Sequence, residues 1–248
     1  MPNAVALPVV HAEWIKIKSL RSSLVSLTVV FAATVAITLL VFATVGRAEA
    51  DNAGAEPLFD AFYALNFGQI AAISFGTTAV SSEYTSGALR ISLAAVPRRG
   101  LFYAAKMAVV GGLALLVGLV TSFGTFLTGQ AFLGEYAIGL GHSGAVRACV
   151  GGGVHLALMA LLAAGLTAVL RSGVAVLSIL IPFTLIVSFV VGDVASGVAE
   201  FLPDQAGQQV LHEAPSGTLG PWAGLAVCAA WAVAALLAGW WAVRRRDA

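Results

Sequence analysis

Apolar stretches of more than about 18 residues recur along this chain, each long enough at about 1.5 Å per residue to cross a hydrocarbon core of roughly 30 Å. They read as spans at about 22–45, 61–80, 104–133, 145–170, 174–191 and 222–243. Composition agrees, because 59% of the residues are hydrophobic and only 10% are charged. A soluble domain carries roughly a quarter charged residues, and a chain with so few could not cover itself in water. The sequence therefore predicts an all-α integral membrane protein with six transmembrane helices.

The net charge of +1 hides an asymmetry. Lys16, Lys18 and Arg21 precede the first span, and Arg90, Arg98, Arg99 and Lys106 fall between the second and third. Arg171 separates the fourth from the fifth, and Arg244, Arg245 and Arg246 close the chain. The other face carries Arg47 and Arg147 among Glu49, Asp51, Glu56, Asp60, Glu135, Asp193, Glu200, Asp204 and Glu213. By the positive-inside rule the basic face and both termini are cytoplasmic, which places a multi-pass protein in a cell membrane. Ala48-Glu49-Ala50 could pass for a signal-cleavage site, but the preceding apolar run exceeds the 7–15 or so residues of a signal core, so the first span is expected to stay as an anchor. Cys149 and Cys228 lie in or beside apolar spans and read as packing residues.

Two segments are expected to do more than span. Over about 8–21, Val10, Trp14 and Ile17 recur at i, i+4 and i+7 with Glu13, Lys16 and Lys18 as polar flanks, which describes an amphipathic helix lying in the cytoplasmic interface with Trp14 at headgroup depth. Over about 82–96, Ser81 and Ser82 can cap a helix and Glu83 sits where its dipole favours an acid. Leu89, Leu93 and Val96 follow at helical spacing before Pro97-Arg98-Arg99-Gly100 turns the chain back. An apolar stripe on a cytoplasmic helix needs a partner, and lipid or a docked protein both suit it.

The segments His11 to Ser22, Glu83-Tyr84-Thr85-Ser86-Gly87-Ala88-Leu89-Arg90, Pro97-Arg98-Arg99 with Lys106, and Phe201-Leu202-Pro203-Asp204-Gln205-Ala206-Gly207-Gln208 carry a likeness. Over essentially its full length the chain resembles the permease subunits of type-two ATP-binding-cassette exporters, especially those of actinobacteria. The resemblance implies a bacterial plasma-membrane half-transporter that pairs with a second copy of itself or a similar permease. It also implies two copies of a cytoplasmic ATPase subunit, which would hold the ATP and Mg; the chain itself is expected to need no cofactor or metal, to catalyse nothing and to bind no nucleic acid. By the same resemblance, 82–96 corresponds to the coupling helix, 8–21 to the interfacial helix, and about 194–220 to a re-entrant outer loop. Glu83, Tyr84, Gly87, Arg90 and Arg98 become ATPase-coupling residues, and loss of Glu83 is expected to uncouple hydrolysis from transport.

The residues themselves say where energy and cargo would be handled. No Gly-x-x-x-x-Gly-Lys-[Ser/Thr] loop is present, so any ATP must bind another polypeptide, and Gly151-Gly152-Gly153 reads as close helix packing. No acid or base falls at mid-span depth except His155, open to a packing role or a proton relay. Asn66, Gln69 and Thr77 share a face of the second span, and Thr121, Thr125 and Thr128 share a face of the third. Such stripes make interhelical hydrogen bonds or line a path for an amphipathic or hydrophobic cargo such as a lipid, a drug or antibiotic, or a peptide. Ala226, Ala230, Ala234 and Ala238 form a smooth ridge that suits packing within the subunit or across a dimer, and Pro182 should bend the fifth span. A non-transporting membrane scaffold or sensor and an ion-coupled carrier remain as other readings, separated by cargo-stimulated ATPase activity and by sensitivity to His155→Ala.

Overall fold

The computed structural model describes residues 3–19, 21–44, 46, 56–96, 98–187, 196–214 and 217–245. Among them all regular structure is helical. Four helices are long and apolar enough to cross a membrane: Val25–Thr44, Arg99–Tyr136, Ala145–Leu170 and Pro221–Arg245. The expected second and fifth spans do not meet both criteria, for different reasons. Leu65–Thr85 has 21 residues but carries Asn66, Gln69, Ser74, Thr77, Thr78, Ser81 and Ser82. It sits between other helices, so little of its surface has to suit lipid. The apolar segment Gly173–Ile186 is short, and the remainder of the expected fifth span, 188–191, lies outside the described residues.

In chain order the helices are α1 (Asn3–Ser19), α2 (Arg21–Thr44), α3 (Pro57–Asp60), α4 (Leu65–Thr85), α5 (Ala88–Ala95), α6 (Arg99–Leu133), α7 (Ala145–Leu170), α8 (Gly173–Pro182), α9 (Ser196–Ala199), α10 (Pro203–Gln208) and α11 (Pro221–Arg245). Prolines at the first turn start α3 and α10, where the missing N–H costs nothing. Ser172 caps α8 by accepting a hydrogen bond from the Ala175 N–H at 3.3 Å. After Pro182 the α-helical ladder gives way to a π-helical turn, Phe183–Val187, which is the local form taken by the irregularity expected at that proline.

The core is built around α7, which packs against α4, α6 and α11. Small residues allow this. A methyl group on Gly76 of α4 would collide with the Ala160 carbonyl of α7, and one on Gly165 would meet the backbone of Ala235 in α11. Gly151, Gly152 and Gly153 serve the packing expected of them: their bare backbone receives Val210, Ser122 with Leu65, and Leu119 respectively. On α11 the buried ridge is Gly224, Cys228, Ala232, Ala235 and Gly239. Ala226, Ala230, Ala234 and Ala238 face outward, so packing of that ridge within the subunit, one of the two roles open to it, is not found.

One local reading is corrected. The short helix does not start at Ser82, because α4 continues through Glu83 to Thr85 and breaks only at Gly87, whose φ of +69° is left-handed and free of steric cost without a Cβ. The inward stripe of α1 is Val9, Glu13 and Ile17, with Trp14 44% exposed. Between 196 and 214, the chain folds back onto the bundle: α10 rests on α11 and α7, and Val210 and Leu211 are buried. Pro97 and the remaining parts of the expected outer loop, 194–195 and 215–216, lie outside the described residues.

Candidate functional site

Where α1, α4, α5 and α6 meet, acids and bases from three distant parts of the sequence converge. Glu13 of α1, Glu83 of α4 and Lys106 of α6 are 1%, 5% and 3% exposed. Lys106 Nζ lies 2.9 Å from Glu83 Oε1 and 3.4 Å from Glu13 Oε2. Lys16 completes the set, 2.5 Å from Glu13 Oε1 and 3.3 Å from Glu83 Oε1, with its Nζ 5.2 Å from the centroid of the Phe102 ring. Burial works against the Lys16 charge, but the Glu13 and Glu83 carboxylates outweigh it and hold its pKa above the ordinary lysine value. Lys16 also donates to Ser92 Oγ at 2.8 Å, and Ser92 donates to the Ala88 carbonyl at 2.9 Å, so α5 is tied to the same cluster.

Membrane depth explains how such a cluster is tolerated. With 35 residues α6 exceeds the roughly 20 needed to span. Lys106 lies about two turns from its N-terminus, beside the arginine-bearing interface rather than at mid-bilayer. Two lysines against two glutamates leave no uncompensated charge.

The sequence-predicted coupling residues divide accordingly. Glu83 is walled in by the two lysines. Tyr84 also turns inward, donating to the Ala168 carbonyl at 3.4 Å, with the Arg171 guanidinium 5.9 Å from its ring centroid. Gly87 is the pivot between α4 and α5. Arg90 is exposed and stands beside Ile91, which is 74% exposed, whereas Leu89 and Ser92 point into the bundle. Arg98 lines a separate cavity with Arg99, Trp240 and Arg244. Of the interfacial residues, Lys18 is exposed and Lys16 belongs to the cluster.

The polar stripes lie within the bundle. Gln69 Oε1 is 3.2 Å from His155 Nε2, and the other ring nitrogen of His155 faces Gly207 of α10, where a side chain would not fit. Thr77, Thr121 and Thr125 are fully buried, and their hydroxyls, like that of Ser122, make no hydrogen bond among the described residues. Thr128 is half-buried, and Asn66 donates to the Tyr63 carbonyl at 3.2 Å. At the opposite end from the charge cluster, Arg147 donates to the His212 carbonyl instead of reaching for solvent. His212 stacks on Phe59 at 4.0 Å and meets Glu56 at 2.8 Å. Glu213 accepts from Ser143 at 2.9 Å, and this bond, aided by His142, keeps its carboxyl below the ordinary glutamate pKa.

Sequence reasoning missed Glu13, Lys106, Ser92 and Ser122. One signal was available for the first: Val9, Glu13 and Ile17 share a helical face, which puts an acid in the middle of an apolar stripe.

Long apolar helices packed through small residues, with charged groups gathered toward their ends, define a multi-pass membrane protein. Residues 9–203 match the family model for ABC-2 family transporter proteins, and the chain belongs to that family, as a permease of the ABC-2 type. A search of curated proteins finds no match.

Proposed function

We propose that this chain is the membrane-spanning subunit of an ATP-driven exporter. It crosses the bacterial plasma membrane six times with both ends in the cytoplasm, and it leaves hydrolysis, with ATP and Mg, to two copies of a separate ATPase. A second permease copy completes the complex. The observation that carries this reading is the pairing of an exposed face on α5, Arg90 and Ile91, with the buried cluster behind it. An exposed arginine and isoleucine side by side on a short helix offer a contact surface to a partner protein. The Lys16–Ser92 hydrogen bond ties that helix to the ion pairs that join α1, α4 and α6, so a push on α5 is passed to the membrane helices.

The buried hydroxyls fit the same scheme. A hydroxyl left unpaired in an apolar interior costs about 1–3 kcal/mol, and among the described residues the hydroxyls of Thr77, Thr121, Ser122 and Thr125 have no protein partner. A second helix arrangement that opens this stripe to water or cargo relieves that cost, which supports reading the packed bundle as the closed state of a path. An uncharged stripe of hydroxyls and amides suits an amphipathic or hydrophobic cargo, whether a lipid, a drug or antibiotic, or a peptide.

The test is to tag the full chain, solubilise it gently from its native membrane and measure co-purifying ATPase. The expected result is about equal amounts of the two, falling about tenfold, roughly the 1.4 kcal/mol loss of one interface contact, in Ile91→Asp or Arg90→Glu while the chain itself stays in the membrane. Purification of the wild-type chain alone under mild conditions would overturn the exporter reading. Full ATPase retention by both variants would reject α5 as the docking element.

A further inference from the structure

Two cavities meet at the basic end of the seam between α6 and α11. The outer one, about 450 Å³, is lined by Arg98, Arg99, Arg244 and Trp240 together with Gly100 and Leu101. The inner one, about 250 Å³, is apolar, walled by Ala104 and Met107 on α6 and by Leu236 and Leu237 on α11. Trp240 borders both. Its indole packs over Gly100, where a Cβ would stand 3.1 Å from Nε1, and the Arg244 guanidinium lies 4.5 Å from its ring centroid. Tyr103, which also walls the inner cavity, fixes the seam by donating to the Leu236 carbonyl at 3.0 Å.

We propose that this seam binds one anionic phospholipid, its phosphate on the arginines and an acyl chain in the apolar groove. The charge argument is direct: three guanidinium groups border the outer cavity, and among the described residues no acidic side chain lines either cavity. Arginine forks suit phosphate oxygens, and basic pockets between membrane helices are suited to anionic headgroups. An apolar groove beside a basic one suits an amphiphile. The groove runs from Arg99 to Met107 along α6, about 12 Å at helical rise, into the part of the helix that lipid tails surround. Aromatic Trp240 stands at the boundary between the charged and apolar sections, the depth at which tryptophan rests in a bilayer.

The experiment follows thermal unfolding of the delipidated full-length chain while lipid is added back. Phosphatidylglycerol is expected to raise the midpoint. Phosphatidylcholine with the same acyl chains, and glycerol phosphate without chains, are expected not to. The Arg98→Gln/Arg244→Gln double variant should need about 25-fold more phosphatidylglycerol for half the effect, about fivefold for each arginine. Arg245→Gln should behave as wild type, because Arg245 packs on Trp241 instead, 4.8 Å from its ring centroid. Ala104→Trp fills the groove with the arginines intact and should also abolish the response. Equal responses to the two lipids, or a full response to glycerol phosphate alone, would overturn the proposal. So would an undiminished phosphatidylglycerol response in the double variant, and if that variant instead loses co-purifying ATPase, the arginines serve a protein partner.

Discussion

Lys106→Ala will destabilise the folded chain by about 3–5 kcal/mol, the cost of orphaning one member of a buried ion pair. Without that ammonium, Glu13 and Glu83, each almost wholly buried, face one another with only Lys16 between them. The two carboxylates then repel across a single lysine, which loosens α1 from α6. At roughly 2–4 °C per kcal/mol for a chain of this size, the midpoint of thermal unfolding in detergent should fall by about 10 °C. Lys106→Met/Glu83→Gln, which removes one charge of each sign, should recover more than half of that loss. A midpoint within about 1 °C of wild type for Lys106→Ala would mean that the cluster is hydrated and carries no structural weight. Glu83→Ala is expected to lower stability in the same way, so any transport defect it shows must be corrected for the amount of folded protein.

Gly76→Val is expected to abolish accumulation of monodisperse protein. Even the first carbon of a side chain at Gly76 would strike the Ala160 carbonyl oxygen, which belongs to a helix backbone and cannot rotate away. Overpacking of this kind costs about 1–3 kcal/mol where side chains can shift, and separating α4 from α7 also breaks the contact on which the core depends. Gly112→Ala is the matched control. It lies on an exposed face of α6 with open space around it, so the change should be neutral or stabilising by up to about 1 kcal/mol through helix propensity. Fluorescence-detected size exclusion of tagged variants reads both. A Gly76→Val protein with wild-type yield and retention would show that α4 and α7 do not approach as closely as described.

Much of the architecture was legible because the solvent dictates it. Hydropathy marks the segments that lipid surrounds, and α2, α6, α7 and α11 follow from it directly. The same logic marks a span at 61–80, where α4 stands, although that helix is enclosed by protein and carries polar residues that a lipid-facing helix could not. The break at Gly87 was hidden by a false start: Ser81, Ser82 and Glu83 have the composition of a helix N-terminus, yet no residue before Gly87 stops α4. The charge cluster was hidden by distance. Glu13 and Lys106 lie 93 positions apart, and only the folding of α1 across α6 brings them together. The alanines of α11 show a third limit, because periodicity finds both small-residue faces of the helix and only the matching small residues of α7 choose between them. The polar stripes were visible as stripes, but their closure inside the bundle is a property of helix packing that no single helix encodes.

The joint at Glu13, Lys16, Glu83 and Lys106 has a further electrical property. Moving one unbalanced elementary charge through a membrane potential involves about 2.3 kcal/mol per 100 mV. Two ammonium and two carboxylate groups that travel together carry no net charge, so voltage does no net work when the joint shifts as a unit. On the proposed coupling through α5, such a joint would respond to force applied there and stay indifferent to whether the cell is energised or depolarised.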